Sequence, residues 1–269
     1  MSKWLKPFVL LNIAILIISL NNGQTTFAAA AKSEIKVPRS AANVTKENTY
    51  PNPTQDLPEL QPGGLAKQLL NSSNVKIENP NLIRMFNESS VSKAPFAVGY
   101  NAKIYLGVWP LNYESNETTI NWQYKKINTN FLDNRGEKTY KRIKYYQNSQ
   151  QIIKGGLTAK VRNADEVINL MMHDASEKTT LPLAFQTVVG AGTKNERVYN
   201  VPPKQLGYLY AYAPAVNEKG KVTFGEVYLI LKGNKRSLQV KNVVSQGVGA
   251  WIPVQDYVSF GYFTSAHPR

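Results

Sequence analysis

An α+β fold, mainly antiparallel β-sheet with a few packing helices, is the class this chain predicts, on three observations. Behind residue 64, short apolar or alternating runs recur between turn residues, which is the signature of strands. NEKG at Asn217 and KGNKR at Lys232 read as hairpin loops that join three successive strands into a meander. Only one long helical pattern interrupts the series, so a βαβ arrangement fits less well.

The elements follow in order. The chain opens on the cationic MSKWLK and continues uncharged from Pro7 to Ala31. The apolar run PFVLLNIAILIISL, Pro7 to Leu20, is 14 residues long, short of the roughly 20 that span a bilayer. NNGQTTFAAAA then supplies small residues, so residues 1–30 are predicted to be a signal peptide cut near Ala30. An uncleaved anchor is the alternative. The expected location is extracytoplasmic, either secreted or associated with the cell wall or membrane surface.

Residues 31–64 hold Pro38, Pro51, Pro53, Pro58 and Pro62 with few apolar residues and read as a linker or extended arm. Tyr50, Leu57 and Leu60 give it something to pack with. Residues 65–269 are predicted to form a single β-rich globular domain. GLAKQLLN has helical spacing, NPNLIRMFNES suits a short helix begun at Asn79 with Pro80 first, and Ala164 to Lys178 has acids in its first turn and an apolar stripe. Strands are expected at Phe96–Val108, Thr119–Phe131, Lys138–Gln147, Gly156–Val161, Leu183–Val189, Gly207–Ala213, Lys221–Lys232, Ser237–Val244 and Val258–Thr264, with a further hairpin loop at DNRGE.

Composition excludes several chemistries. The chain has no cysteine, so lipoprotein anchors, disulfides and thiolate sites fall away. A serine triad needs a histidine, and His173 and His267 have no GxSxG elbow to serve. No metal site and no cofactor is expected. Ser90 and Lys93 form an SxxK with no KTG segment after it, and VVGAGTKNE lacks the third glycine of a dinucleotide loop and reads as a turn. Glu114 and Glu117 are the best local carboxylate pair for a glycan-cleaving reaction, beside Trp109 and Tyr113, although a polar hairpin loop has the same composition.

What remains is charge. The formal net charge is +14, and such a surplus attracts polyanions. The excess sits in two segments, Lys103 to Lys160 and Lys194 to Lys241, and Lys125, Lys126, Lys138, Lys141, Arg142 and Lys144, among others, are the candidate polyanion-binding residues. The expected partner is an anionic wall polymer or an anionic lipid surface, with a protein partner as a further option and no specific nucleic acid. Tyr208, Tyr210 and Tyr212 alternate and must share one face of a strand. Their area favours the core; if Leu209 and Ala211 face inward instead, they form an aromatic platform.

The segments NTYPNPTQDLPELQP, KIENPNLIRMFNES, WPLNYESNET, INTNFLDNRG, IKGGLTAK, LGYLYAYAPAVNEKGKVTFGEVYLILKGNKR and GAWIPVQDYVSF together resemble the YfkD-like family of exported proteins from spore-forming Gram-positive bacteria. The resemblance runs from about Val37 to Arg269. It implies a bacterial, extracytoplasmic setting and a single domain, and it carries no site residue with it.

Overall fold

Two very long antiparallel strands organise the molecule. The computed structural model describes residues 36–45, 61–89 and 101–268. The predicted signal, the arm residues Tyr50, Leu57 and Leu60, and the Ser90–Lys93 motif lie outside them. Strand β2 (Asn101–Asp133) pairs with β8 (Leu206–Lys232) from Asn101 opposite Lys232 to Asp133 opposite Leu206. The other edge of β8 is shared: β10 (Tyr257–Ser265) takes Leu206 to Tyr212, and β9 (Lys235–Pro253) takes Ala215 to Lys232. Strands β1 (Ala41–Asn43) and β5 (Gly156–Leu157) extend the sheet beyond β10 and β9. Two small ladders complete the strands, β3 (Lys141–Tyr146) with β7 (Lys194–Val201) and β4 (Gln151–Lys154) with β6 (Gln186–Val189).

Every pairing is antiparallel, and three helices accompany the strands among the described residues. The fold is the mainly antiparallel α+β class. Helix α1 (Gly64–Ser72) and α2 (Pro80–Glu88) pack on Leu111, Val227, Leu229 and Val240, and α3 (Ala164–Thr179) packs on Val216, Val222, Phe224 and Ile252. Helix α2 starts as its sequence demands. Asn79 accepts from the backbone N–H groups of Asn81 and Leu82, and Pro80 needs no donor partner. A third core lies where Leu209, Ala211 and Ala213 of β8 meet Ile143, Tyr145, Ile153, Val189 and Val201 of the small ladders.

The chain departs from the expected elements in an instructive way. Residues 101–108 of the first expected strand, whose residues 96–100 lie outside the described ones, and the expected strand at 119–131 are parts of one strand, β2, and the WPLNYESNE segment is strand rather than loop. NEKG is not a hairpin loop either; it lies inside β8. Its neighbours decide this. Residues 217–220 are paired with β2 on one side and β9 on the other, so both edges of the backbone are satisfied without a turn. The true hairpin is at Gly233, whose φ of 54° suits the β8–β9 turn. Strand β5 stops at Leu157, well short of the expected Val161. Ala41 to Asn43, inside the segment read as linker or arm, pair with β10.

Free edges are capped by side chains. Ser72 Oγ accepts from Leu238 N–H at 2.8 Å, while Asn74 accepts from Val240 N–H at 2.9 Å and donates to the Val240 carbonyl at 3.2 Å. The end of α1 and the turn after it thus occupy hydrogen-bonding positions that an intruding strand would use.

Gly220 is fixed by packing rather than by φ. A Cβ there would fall 2.2 Å from the Glu114 carbonyl oxygen, 2.5 Å from the Tyr113 hydroxyl oxygen and 2.6 Å from its Cζ, because the β2 backbone and that ring together fill the space a side chain at 220 would need. Gly220→Val is therefore expected to lower unfolding stability by about 1–3 kcal/mol, the cost of overpacking a filled core. Urea denaturation checks it, and an unchanged midpoint would show that the β2 backbone at Glu114 and the Tyr113 ring both yield.

Candidate functional site

Alternation along β8 sets the geometry. Leu209, Ala211 and Ala213 are buried against Ile127, Tyr145 and Phe260, so Tyr208, Tyr210 and Tyr212 emerge on the opposite face, half-buried. The core placement favoured by ring area is therefore corrected. The small side chains of Ala211 and Ala213 admit bulky groups from the facing layer, and Tyr145 packs on Phe260 there at 5.0 Å between centroids. That space is taken, and the tyrosine rings lie outside it.

The outward rings form a row. Phe131 stands 5.2 Å from Tyr208, Tyr208 stacks on Tyr210 at 6.2 Å with planes 17° apart, and Tyr210 meets Tyr212 at 6.4 Å. Phe131 is 55% exposed. Across the ladder from Tyr210 sits Gly261, where an added Cβ would come within 3.4 Å of the Tyr212 ring. Lys126 lies opposite Tyr212 on β2, with its Nζ 5.2 Å from the Tyr210 centroid, in cation–π range. The even-numbered residues Val216, Val222 and Phe224 continue this face under α3.

The six candidate cations do not converge. Lys126 belongs to the tyrosine face, whereas Lys125, opposite Ala213, reaches the other way and donates to the Ile152 carbonyl at 3.3 Å. Arg142 and Lys144 alternate with buried Ile143 and Tyr145, so they point outward from the facing layer. Lys144 is 2.5 Å from Glu196 and Lys141 is 2.8 Å from Glu137. Lys144 holds the Glu196 carboxyl below its ordinary range, first through its hydrogen bond and then through its charge. Lys138 is exposed in the turn before β3. At the end of the tyrosine row Arg135 pairs with Asp133 at 2.7 Å, and its hydrogen bonds pull that carboxyl down to about 2.

Glu114 and Glu117 face cations across the β2–β8 ladder. Glu117 is 2.9 Å from Lys219, and Glu114 stands opposite Lys221. The carboxyl that geometry singles out is one the sequence reading passed over. Glu218 is fully buried, accepting from the Tyr113 hydroxyl at 3.0 Å and the Thr118 hydroxyl at 2.6 Å. Its pKa is raised, chiefly because burial strips water from the charged form, with the nearby Asp174 charge adding to it and the hydroxyl hydrogen bonds opposing it. Tyr113 is pushed up as well, by burial and then by Glu218. The clue was periodicity: Glu218 is in phase with Val216 and Val222, the apolar side of β8.

Above Tyr113 lies a cleft of about 640 Å³ lined by α1, α2 and α3 residues, among them Tyr113, Ser115, His173, Asp174 and Glu177. His173 is an exposed helix residue 3.6 Å from Glu177, one turn on. His267 is exposed near the end of the chain. The VVGAGTKNE segment turns at Gly192, with φ of 84°, to join β6 to β7.

A family model described as YfkD-like protein matches residues 38–269. The uncharacterized protein YfkD of Bacillus subtilis (strain 168) is 64% identical over 239 residues, which is 89% of this chain and 90% of that protein. No solved structure matches.

Glu218 yields a signed pH prediction. Because its folded pKa is raised, its contribution to stability is fully present below the unfolded value of about 4.5 and is lost as pH climbs through the higher folded value. Glu218→Gln removes that loss, so its melting temperature relative to the parent should rise between pH 4 and pH 7. A difference that stays flat or falls would mean Glu218 is not desolvated. Glu218→Leu strands the Tyr113 and Thr118 hydroxyls and should cost about 1–3 kcal/mol.

Proposed function

The chain belongs to the YfkD-like family, and from that premise we propose that it is an exported, noncatalytic cell-envelope protein whose basic body associates with an anionic wall polymer. Residues 1–30 supply the address, and the mature protein works outside the cytoplasm. The observation that carries the reading is that cations stand on both outer layers, with Lys126 on the tyrosine face and the exposed Arg142 on the ladder that packs against its reverse, beside Lys144, which Glu196 holds.

Two stacked sheets are about 10 Å apart, and screening at physiological salt falls off over about 8 Å. A flat bilayer touching one layer leaves the cations of the other beyond its reach. A flexible polyanion bends to both, so the geometry favours a wall polymer over a lipid surface. Carboxylate catalysis is the weaker reading. Glu117 is held by Lys219 and Glu114 faces Lys221, which leaves neither poised as a general acid.

Salt is the test. Association of the protein with isolated Gram-positive cell walls should fall by more than about tenfold when ionic strength rises from about 0.05 M to about 0.5 M. Binding to phosphatidylglycerol vesicles should be weaker than to walls at equal charge. Salt-independent wall binding would overturn the electrostatic account, and recovery of the native protein with Met1 intact in the cytosol would overturn the location.

A further inference from the structure

The outward face of β8 has a chemistry that charge alone does not explain. Four tyrosines of this chain have hydroxyls committed within the fold: Tyr113 to Glu218, Tyr145 to Gln147, Tyr228 to Glu226 and Tyr262 to the Asn200 carbonyl. Tyr210 and Tyr212, like Tyr105, Tyr124, Tyr140, Tyr146, Tyr199 and Tyr257, are not among these; what sets the two apart is their place in the row of rings. Among the described residues neither hydroxyl has a hydrogen-bond partner, although the rings are half-buried and ordered in a row. Each presents an apolar ring with a polar tip open to a ligand.

Resting on the reading above that the partner is a wall polymer, we propose that Tyr210 and Tyr212, with Phe131 and Lys126, form a binding platform for a linear glycan bearing negative charge. Three observations fix that chemistry. A succession of rings along one strand face, with Tyr210 and Tyr212 tilted 59° to each other, suits a ligand that presents repeated apolar faces and turns along its length, as the pyranose rings of a glycan do. The open hydroxyls match sugar hydroxyls, which both donate and accept. Lys126, whose Nζ is 5.2 Å from the Tyr210 centroid, supplies the complement to an anionic substituent, while the acid at the end of the row, Asp133, is already paired with Arg135. Gly261, opposite Tyr210, adds no side chain of its own to that face, and a Cβ there would lie in ordinary contact with the Tyr212 ring at 3.4 Å.

The test compares three probes on the full chain: chitohexaose as an uncharged glycan, polygalacturonate as a charged one, and polyphosphate as a polyanion without sugar. The parent should bind polygalacturonate most tightly and bind chitohexaose measurably. Tyr210→Ala with Tyr212→Ala should weaken both glycans about tenfold or more and leave polyphosphate within about twofold. Tyr210→Phe, which keeps the ring, should retain most of the glycan affinity. Lys126→Gln should weaken polygalacturonate more than chitohexaose. An unchanged melting temperature confirms that the variants fold.

Glycan binding that is absent in the parent, or unaffected by the double substitution, overturns the platform. So does a parent dimer at micromolar concentration that the double substitution dissociates, because the face would then serve self-association. Phosphatidylglycerol vesicle binding that depends on the tyrosines while chitohexaose does not bind would also overturn it. Polyphosphate reports separately: if its binding is salt-independent, the electrostatic reading fails while the platform stands on the chitohexaose result.

Discussion

The β2–β8 pairing is the constraint from which the rest follows. It joins residues 101–133 to 206–232, and each hydrophobic cluster of the described body is built on one or both of these strands. Irregularities in it are local: β2 shifts register between Ser115 and Glu117 and again between Asn121 and Lys125 while the ladder continues. Such bulges let one strand serve several cores, because each shift re-aims the side chains beyond it. Leu111 points into the core under α1 and α2, whereas Tyr113, after the shift between Pro110 and Asn112, points into the core under α3. The sheet then places the tyrosine row where the same face of β8 runs out from beneath α3.

Class and helices were legible from residues alone. Asn79 and Pro80 announce α2, and the acids Asp165 and Glu166 with Val167, Leu170 and Met171 announce α3, because caps and apolar stripes are local signals. What local signals misjudge is a polar stretch paired on both sides. NEKG and YESNE look like loops since their side chains are hydrophilic, yet Lys219 answers Glu117 across the ladder and Glu218 finds two hydroxyls within it. Partners more than a hundred residues away made those strands, and a window of ten residues does not contain them.

The tyrosine row marks the same limit from another side. Alternation dictates that Tyr208, Tyr210 and Tyr212 share a face, but the choice of face depends on what packs against β8. Ala211 and Ala213 were the available hint, for small residues on one face admit bulky ones from a facing layer, here Tyr145 and Phe260. Once the alanine face is core, the rings must look outward. The cationic stretch fared similarly: Arg142 and Lys144 stand together on β3, while Lys126 answers to β8 instead.

The account stands or falls on the sidedness of β8, and nitration of tyrosines by tetranitromethane, mapped by mass spectrometry, measures it directly. Tyr210 and Tyr212 should react readily and become protected when polygalacturonate is bound, while Tyr113 and Tyr145, 7% and 1% exposed, stay unmodified until the protein unfolds. Rapid modification of Tyr145 with Tyr210 and Tyr212 inert in the free protein would place the rings in the core and contradict the account.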